Sequence, residues 1–488
     1  MAPKNRRTDA MNGRNSPKPT HPDDRKAREA DGSRRPFVRN VTWSVTGRGV
    51  AIAAGLGVTA LLTRLLSPYD IGMYYLILAV ALTASPVGNL SLDEPAIRAI
   101  AGARGAGNPE RAVAFAKSSL KLAGVSSICV VVLILAVWYA ARQLGLGGSL
   151  RSFTMVLLMA LWTALYAMER QLVATLQGVE SIAAASAFDR TLGRVLSFVV
   201  LLVLWLSHAH ATLTEILFAF IASECVSVAG AAFRAVRSLD ALGSSKERIP
   251  IGELLRTTWP FMIQVVTATA SQQCPIFILG AFQSPAEVAV YGVATRLSAL
   301  LNTPGVAVNV PLAPTIARLI SQKRQQELQT VLQFAAFVPT LIALATIAWW
   351  SLGGQGLLVA LFGAPYGSGY AVLLILSVSQ GVGLFFGPSL LTLSMGGEQS
   401  LATKISIVSA LGQIAVMIPL IGRWGTEGAA ASILIVTLLS KGGGWWAVRK
   451  RFGVWSQADV ALIGHQGWRI CAGTVRAAAR SARRGPDA

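Results

Sequence analysis

Ser67-Pro68-Tyr69-Asp70-Ile71-Gly72-Met73-Tyr74 and Ser284-Pro285-Ala286-Glu287-Val288-Ala289-Val290-Tyr291 stand 217 residues apart. Serine, proline, an acid, a β-branched residue, a small residue and tyrosine follow in the same order in both. Proline suits the first helical turn, and an acid there complements the helix dipole. Such a start is common, so the setting carries the weight. Each octapeptide fills the short turn between two apolar runs, the first and second in one case, the seventh and eighth in the other.

Working outward, a membrane span needs about 20 mostly apolar residues. Twelve runs qualify: roughly 41–63, 71–92, 118–140, 153–175, 191–207 and 212–233, then 258–281, 287–311, 329–352, 370–394, 401–421 and 426–447. With 53% hydrophobic and 14% charged residues, the chain is far more apolar than a soluble domain, which carries roughly 25% charged residues. The mean hydropathy of +0.54 agrees. These observations predict an all-α polytopic membrane protein with about twelve transmembrane helices. An even number of spans per repeat makes the repeat parallel, so the expected architecture is two parallel six-helix lobes with a site between them.

Of the net charge of +20, +6 lies in residues 1–40 and +6 in 448–488, and the internal cations gather on alternate connections. Arg98, Arg104, Arg111 and Lys117 fall between the second and third runs, and Arg234, Arg237, Lys246, Arg248 and Arg256 between the sixth and seventh. Arg318, Lys323 and Arg324 follow the eighth, and Arg449, Lys450 and Arg451 the twelfth. The intervening connections are poor in cations, and 353–369 has no charge at all. The positive-inside rule places both termini in the cytoplasm, which for a bacterial protein means the cytoplasmic (inner) membrane. The basic character is read as topology, not as a nucleic-acid interface.

Residues 1–36 are polar and basic and are expected to be disordered, with no cleavable signal. An N-terminal lobe over 37–236, a cytoplasmic linker over 237–257, a C-terminal lobe over 258–447 and a basic cytoplasmic tail over 448–488 complete the expected organisation. In the tail, Arg469, Arg476, Arg480 and Arg483 recur near helical spacing, suiting either a basic helix on anionic inner-leaflet lipid or a loosely ordered segment.

Leu62-Thr63-Arg64-Leu65-Leu66 continuing into Ser67–Tyr74 resembles the opening signature of the bacterial polysaccharide-biosynthesis flippases. These belong to the multidrug/oligosaccharidyl-lipid/polysaccharide exporter superfamily. The resemblance continues in Ile276-Phe277-Ile278-Leu279-Gly280-Ala281-Phe282, in Tyr291 to Arg296, and in Leu361-Phe362-Gly363-Ala364-Pro365-Tyr366. It covers roughly 37–447 and implies translocation of polyprenyl-diphosphate-linked O-antigen or exopolysaccharide units. Polysaccharide polymerases and glycosyltransferases would be working partners. One departure stands out: the family often has an acid in the seventh span, where this chain has Cys274-Pro275.

Ionisable groups at membrane depth mark candidate sites. Glu224 lies about 16 Å into the sixth run and Arg296 about 14 Å into the eighth. Arginine suits a diphosphate because its planar fork donates bidentately and keeps its charge. Arg296 also matches, through Ala294-Thr295-Arg296-Leu297, a cavity arginine of the related lipid II flippases. Arg48, Arg64, Arg190 and Arg194 are further candidates for the anionic headgroup. Each has a plainer reading: snorkelling for Arg48, interface anchoring for Arg64, positive-inside charge for Arg190 and Arg194. Glu224 suits ion coupling or structural pairing. Gln272, Gln273, Asn302 and Asn309 suit either sugar hydroxyls or helix–helix bonding. No nucleotide-binding, metal or catalytic constellation occurs, so no cofactor is expected and the chain reads as a transporter and not an enzyme. The alternatives are an ion-coupled multidrug or small-metabolite exporter and, less favoured, a saccharide polymerase or ligase.

Overall fold

The computed structural model describes residues 49–145, 152–189, 191–207, 211–245 and 249–459. Among the described residues the regular elements are all helical. The N-terminal half has α1 (Gly49–Leu65), α2 (Pro68–Gly88), α3 (Asp93–Gly105), α4 (Pro109–Gln143), α5 (Phe153–Gly178), α6 (Ile182–Phe188), α7 (Thr191–Leu206) and α8 (Leu213–Asp240). The C-terminal half has α9 (Ile251–Phe282), α10 (Pro285–Ser298), α11 (Thr303–Ser321), α12 (Gln325–Phe362), α13 (Tyr370–Phe385), α14 (Ser389–Met395) and α15 (Gln399–Phe452).

Eight of these segments are long and apolar enough to cross a membrane as they stand. Four further crossings explain the expected twelve. The helices α1 and α7 are shorter. Span eight is divided into α10 and α11 by a 3-10 turn at Ala299–Asn302. The 54 residues of α15 are two antiparallel spans joined at Gly425, whose φ of 54° and ψ of −127° reverse the chain. A left-handed φ is open to glycine at little cost. The reversal is tight: a Cβ on Gly428 would stand 2.0 Å from the Leu420 carbonyl oxygen.

Local chemistry places the helix starts. Ser67 caps α2, accepting from the Asp70 amide at 3.2 Å while its hydroxyl donates to Asp70 Oδ2 at 2.7 Å. Pro68 fills the first turn, where its missing N–H costs nothing. Ser284 caps α10 in the same extended conformation, with Pro285 in the first turn and Glu287 following. The break in span eight is explained by Pro304, which cannot donate into the preceding turn.

The two serine–proline turns meet. Helix α2 of the first lobe packs on α9 and α10 of the second. A Cβ on Gly72 would lie 1.7 Å from the Pro285 carbonyl oxygen, one on Gly280 2.5 Å from Leu76, and one on Gly292 2.6 Å from the Tyr75 ring. Small residues let membrane helices approach this closely. The largest apolar core runs through this seam, from Leu62, Tyr74 and Trp162 to Tyr291, Tyr366 and Met417. Towards the basic connections the core divides. One cluster joins Ile100 and Phe115 to the linker residues Ile249 and Leu254, and another gathers Ile316, Leu332 and Val448. The lobes are therefore joined along the serine–proline end, and at the basic end they meet again at the start of α9, where Leu254 enters the first cluster and Arg98 lies 5.2 Å over the Phe261 ring.

Residues 454–459, expected to belong to a separate tail, pack on the second lobe instead. Ser456 is buried and its hydroxyl donates to the Phe386 carbonyl at 3.0 Å, while Trp445 Nε1 donates to Gln457 at 2.7 Å. The expected disordered segment and the arginine-rich part of the tail lie outside the described residues.

Candidate functional site between the lobes

Arg296 sits in the last turn of α10, just before the break in span eight. The carbonyl end of a helix favours a cation. One turn earlier, Gly292 receives the Tyr75 ring from the opposite lobe, and the Tyr75 hydroxyl has Arg296 and Thr59 as its polar neighbours. Arg296 is exposed, whereas Tyr75 is buried. An exposed guanidinium thus stands beside the buried floor of the seam.

Arg194 approaches from the first lobe. Both Arg194 and Arg296 lie within electrostatic reach of the Tyr74 hydroxyl. Tyr74 is held by Trp162 at 6.0 Å and Phe220 at 5.7 Å between ring centroids, and those two pack on each other at 5.8 Å. One cation of each lobe is thus within electrostatic reach of this buried aromatic cluster. Guanidinium groups suit an anion with several oxygens.

Arg64 is placed elsewhere. Its Nη2 donates to the Ala360 carbonyl at 3.0 Å, closing the end of α12 across the lobe boundary. This is a latch on the serine–proline side, at the rim of the seam. Arg48 and Arg190 lie outside the described residues. Glu224 is buried on α8, with Oε2 2.8 Å from where a Cβ on Gly193 would stand. It thus packs on the backbone beside Arg194. Gln272 is exposed on α9, and Asn302 and Asn309 are exposed along span eight.

Two features were not anticipated from the sequence. Span four contains Glu169 and Arg170, although Glu224 alone was expected as an acid at membrane depth. Glu169 is 1% exposed and accepts from Ser227 Oγ at 2.9 Å. Arg170 pairs with Asp93 at the start of α3, its Nε donating at 3.2 Å. The interior of the first lobe is thus not nearly acid-free. The second feature is Lys441, in the twelfth span. All three charges are visible inside the predicted spans 153–175 and 426–447. The runs around them are apolar enough to read as uninterrupted.

A family model described as polysaccharide biosynthesis protein matches residues 37–320, the stretch containing α1, α2, α10 and the seam. The chain belongs to that family. It is a multi-pass membrane protein, and solved transporters of low sequence identity share its fold. An inward-facing multidrug-resistance MATE transporter aligns with a TM-score of 0.62 at 18% identity, covering 84% of this chain and 94% of its own. A MOP transporter from Pyrococcus furiosus, described as having a binding pocket of reversed polarity, aligns at 0.61 and 15%, covering 86% and 95%. A Vibrio cholerae MATE transporter aligns at 0.58 and 16%, covering 86% and 97%. No curated protein sequence is matched.

Proposed function

We propose that this family member is a flippase for polyprenyl-diphosphate-linked oligosaccharides, working by alternating access in a bacterial cytoplasmic membrane. The observation that carries the reading is that Arg296 and Arg194, one from each lobe, both lie within electrostatic reach of Tyr74. With the basic end in the cytoplasm, the headgroup enters between the lobes from inside. Arg296 meets the diphosphate by charge-assisted, bidentate bonding, Arg194 guides it inward, and the polyprenyl tail stays in lipid. Release of the Gly72–Pro285 seam then opens the other side. Outward movement of negative charge is favoured by about 2.3 kcal/mol per charge per 100 mV with the cytoplasm negative, so the potential contributes without a coupled ion. Surface polysaccharide is the product, and polymerases and glycosyltransferases act after and before the transport step.

The test is Arg296→Ala in a cell that depends on this chain for its surface polysaccharide. The polysaccharide is lost while the protein remains in the membrane; normal polysaccharide contradicts the role.

A second reading is favoured by Glu169, which with Glu224 gives the first lobe two buried acids. An ion-coupled exporter uses such groups. Cationic dye efflux that stops in Glu169→Gln would support this reading over the flippase.

A further inference from the structure

The second lobe contains a cavity of about 200 Å³ that the seam does not use. It forms where two spans are interrupted. Asn302, Gly305 and Asn309 border it beside the break in span eight, and Gly383, Gly387 and Pro388 beside the break in span ten. Gly387 has φ 68°, and the chain there is held by Ser456 from the tail. Interrupted helices at membrane depth free backbone groups and are where transporters form polar binding sites.

The side chains around it have one sign of charge. Lys441 enters from the twelfth span, among Asn302, Asn309, Gln380, Ser379 and Thr437, and among the described residues no carboxylate lines the wall. Ser379 and Thr437 bond each other at 3.0 Å, which ties the wall together. Lys441 has no hydrogen-bond or ion-pair partner among the described residues. An ammonium at this depth costs several kcal/mol unless a partner or water meets it. A metal cation would be repelled, and a cationic drug likewise. The volume is below the roughly 300–1,000 Å³ of sites for drug-sized ligands, which suits a single sugar ring and not a whole oligosaccharide. The three carboxamides offer both donors and acceptors, which fits ring hydroxyls. A single ammonium matches a single negative charge. Asn302 lies six residues after Arg296, roughly 9 Å along the span, and Asn302 and Asn309 are exposed, so the cavity is open at the protein surface.

We propose that this cavity holds a carboxylate-bearing sugar of the transported headgroup, so that the substrate is an acidic oligosaccharide. Lys441 meets the carboxylate, and Asn302, Asn309 and Gln380 meet the hydroxyls. This rests on the flippase reading for the identity of the cargo, with the diphosphate at Arg296 and the sugar roughly two to four turns further along span eight.

The test is thermal denaturation of the purified full-length protein in detergent at constant ionic strength. The probes are sodium glucuronate, glucose, sodium acetate and sodium pyrophosphate. Glucuronate gives a saturable rise in the melting midpoint, while glucose and acetate at the same concentrations do not. Lys441→Gln abolishes the rise and Lys441→Arg keeps part of it, which excludes a mere folding defect. Arg296→Gln keeps the glucuronate response and loses the pyrophosphate response. A glucuronate response that survives Lys441→Gln, or its absence in the unmodified protein, overturns the cavity assignment. Glucuronate binding intact with no pyrophosphate response in the unmodified protein overturns the diphosphate site and leaves the acidic-sugar cavity standing.

Discussion

Gly72 of the first lobe lies directly on Pro285 of the second: a Cβ at Gly72 would stand 1.7 Å from the Pro285 carbonyl oxygen. Each residue belongs to one of the two related octapeptides, so the repeated motifs are also each other's contact. Position 289, the counterpart of Gly72, is Ala289 and is fully buried in the same seam. The contact involves backbone on one side, which cannot rotate away as a side chain would.

Gly72→Ala should therefore force the lobes apart at the serine–proline end. Thr59, buried behind Tyr75, offers a reporter. In a background with the native cysteines replaced, Thr59→Cys should be labelled slowly by an impermeant maleimide. Adding Gly72→Ala should raise the rate severalfold. Equal rates would mean that the seam tolerates the methyl group.

Gly292→Ala is a milder case, because the atom it would meet belongs to the Tyr75 ring. A smaller residue at position 75 should relieve the clash. Transport lost in Gly292→Ala should return in part in Gly292→Ala/Tyr75→Val, beyond what the single effects add to. Residues in contact couple in this way. Simple additivity would argue against contact in the working protein.

Arg64 closes the α12 terminus across the lobe boundary. One exposed hydrogen bond to a helix end contributes about 0.5–1 kcal/mol. Arg64→Gln should shift the balance towards the state open at the serine–proline end by roughly two- to fivefold. The same Thr59→Cys labelling reads this. A complete loss of transport with unchanged labelling would instead make Arg64 a substrate contact.

Arg170 and Asp93 form a largely enclosed pair, with side chains 22% and 15% exposed. Breaking one partner leaves the other charge poorly solvated. Arg170→Leu should destabilise the first lobe by about 1–3 kcal/mol, seen as a lower melting midpoint. Adding Asp93→Asn should restore part of it. No change in Arg170→Leu would show the pair to be structurally idle.

Much of this arrangement is legible in the chain. Spans announce themselves because lipid admits only long apolar helices, and the octapeptide pair marks the two halves. Arg296 stands out because charge at that depth is costly. Other features depend on what meets in space. That Ser67–Tyr74 touches Ser284–Tyr291 follows from the lobe packing, and nothing in either octapeptide encodes it. The role of Arg64 depends on where α12 ends, 296 residues away. The reversal at Gly425 falls in the gap between the predicted runs 401–421 and 426–447, whereas the breaks at Ala299–Asn302 and 386–388 are local consequences of proline and glycine inside predicted runs. Glu169 and Lys441 stand inside predicted spans, but one charge scarcely lowers the average of a 20-residue apolar run. Their partners and surroundings, which give them meaning, come from other helices.

The most direct test is translocation itself. Purified protein in sealed vesicles, supplied with a polyprenyl-diphosphate-linked oligosaccharide carrying a fluorescent sugar, is assayed by quenching from the outer face. The account predicts time-dependent movement between leaflets that requires the protein, falls to the protein-free rate in Arg296→Ala, and accelerates when the vesicle potential favours the direction of the anion. Movement at an unchanged rate in Arg296→Ala, or none with the unmodified protein, would contradict it.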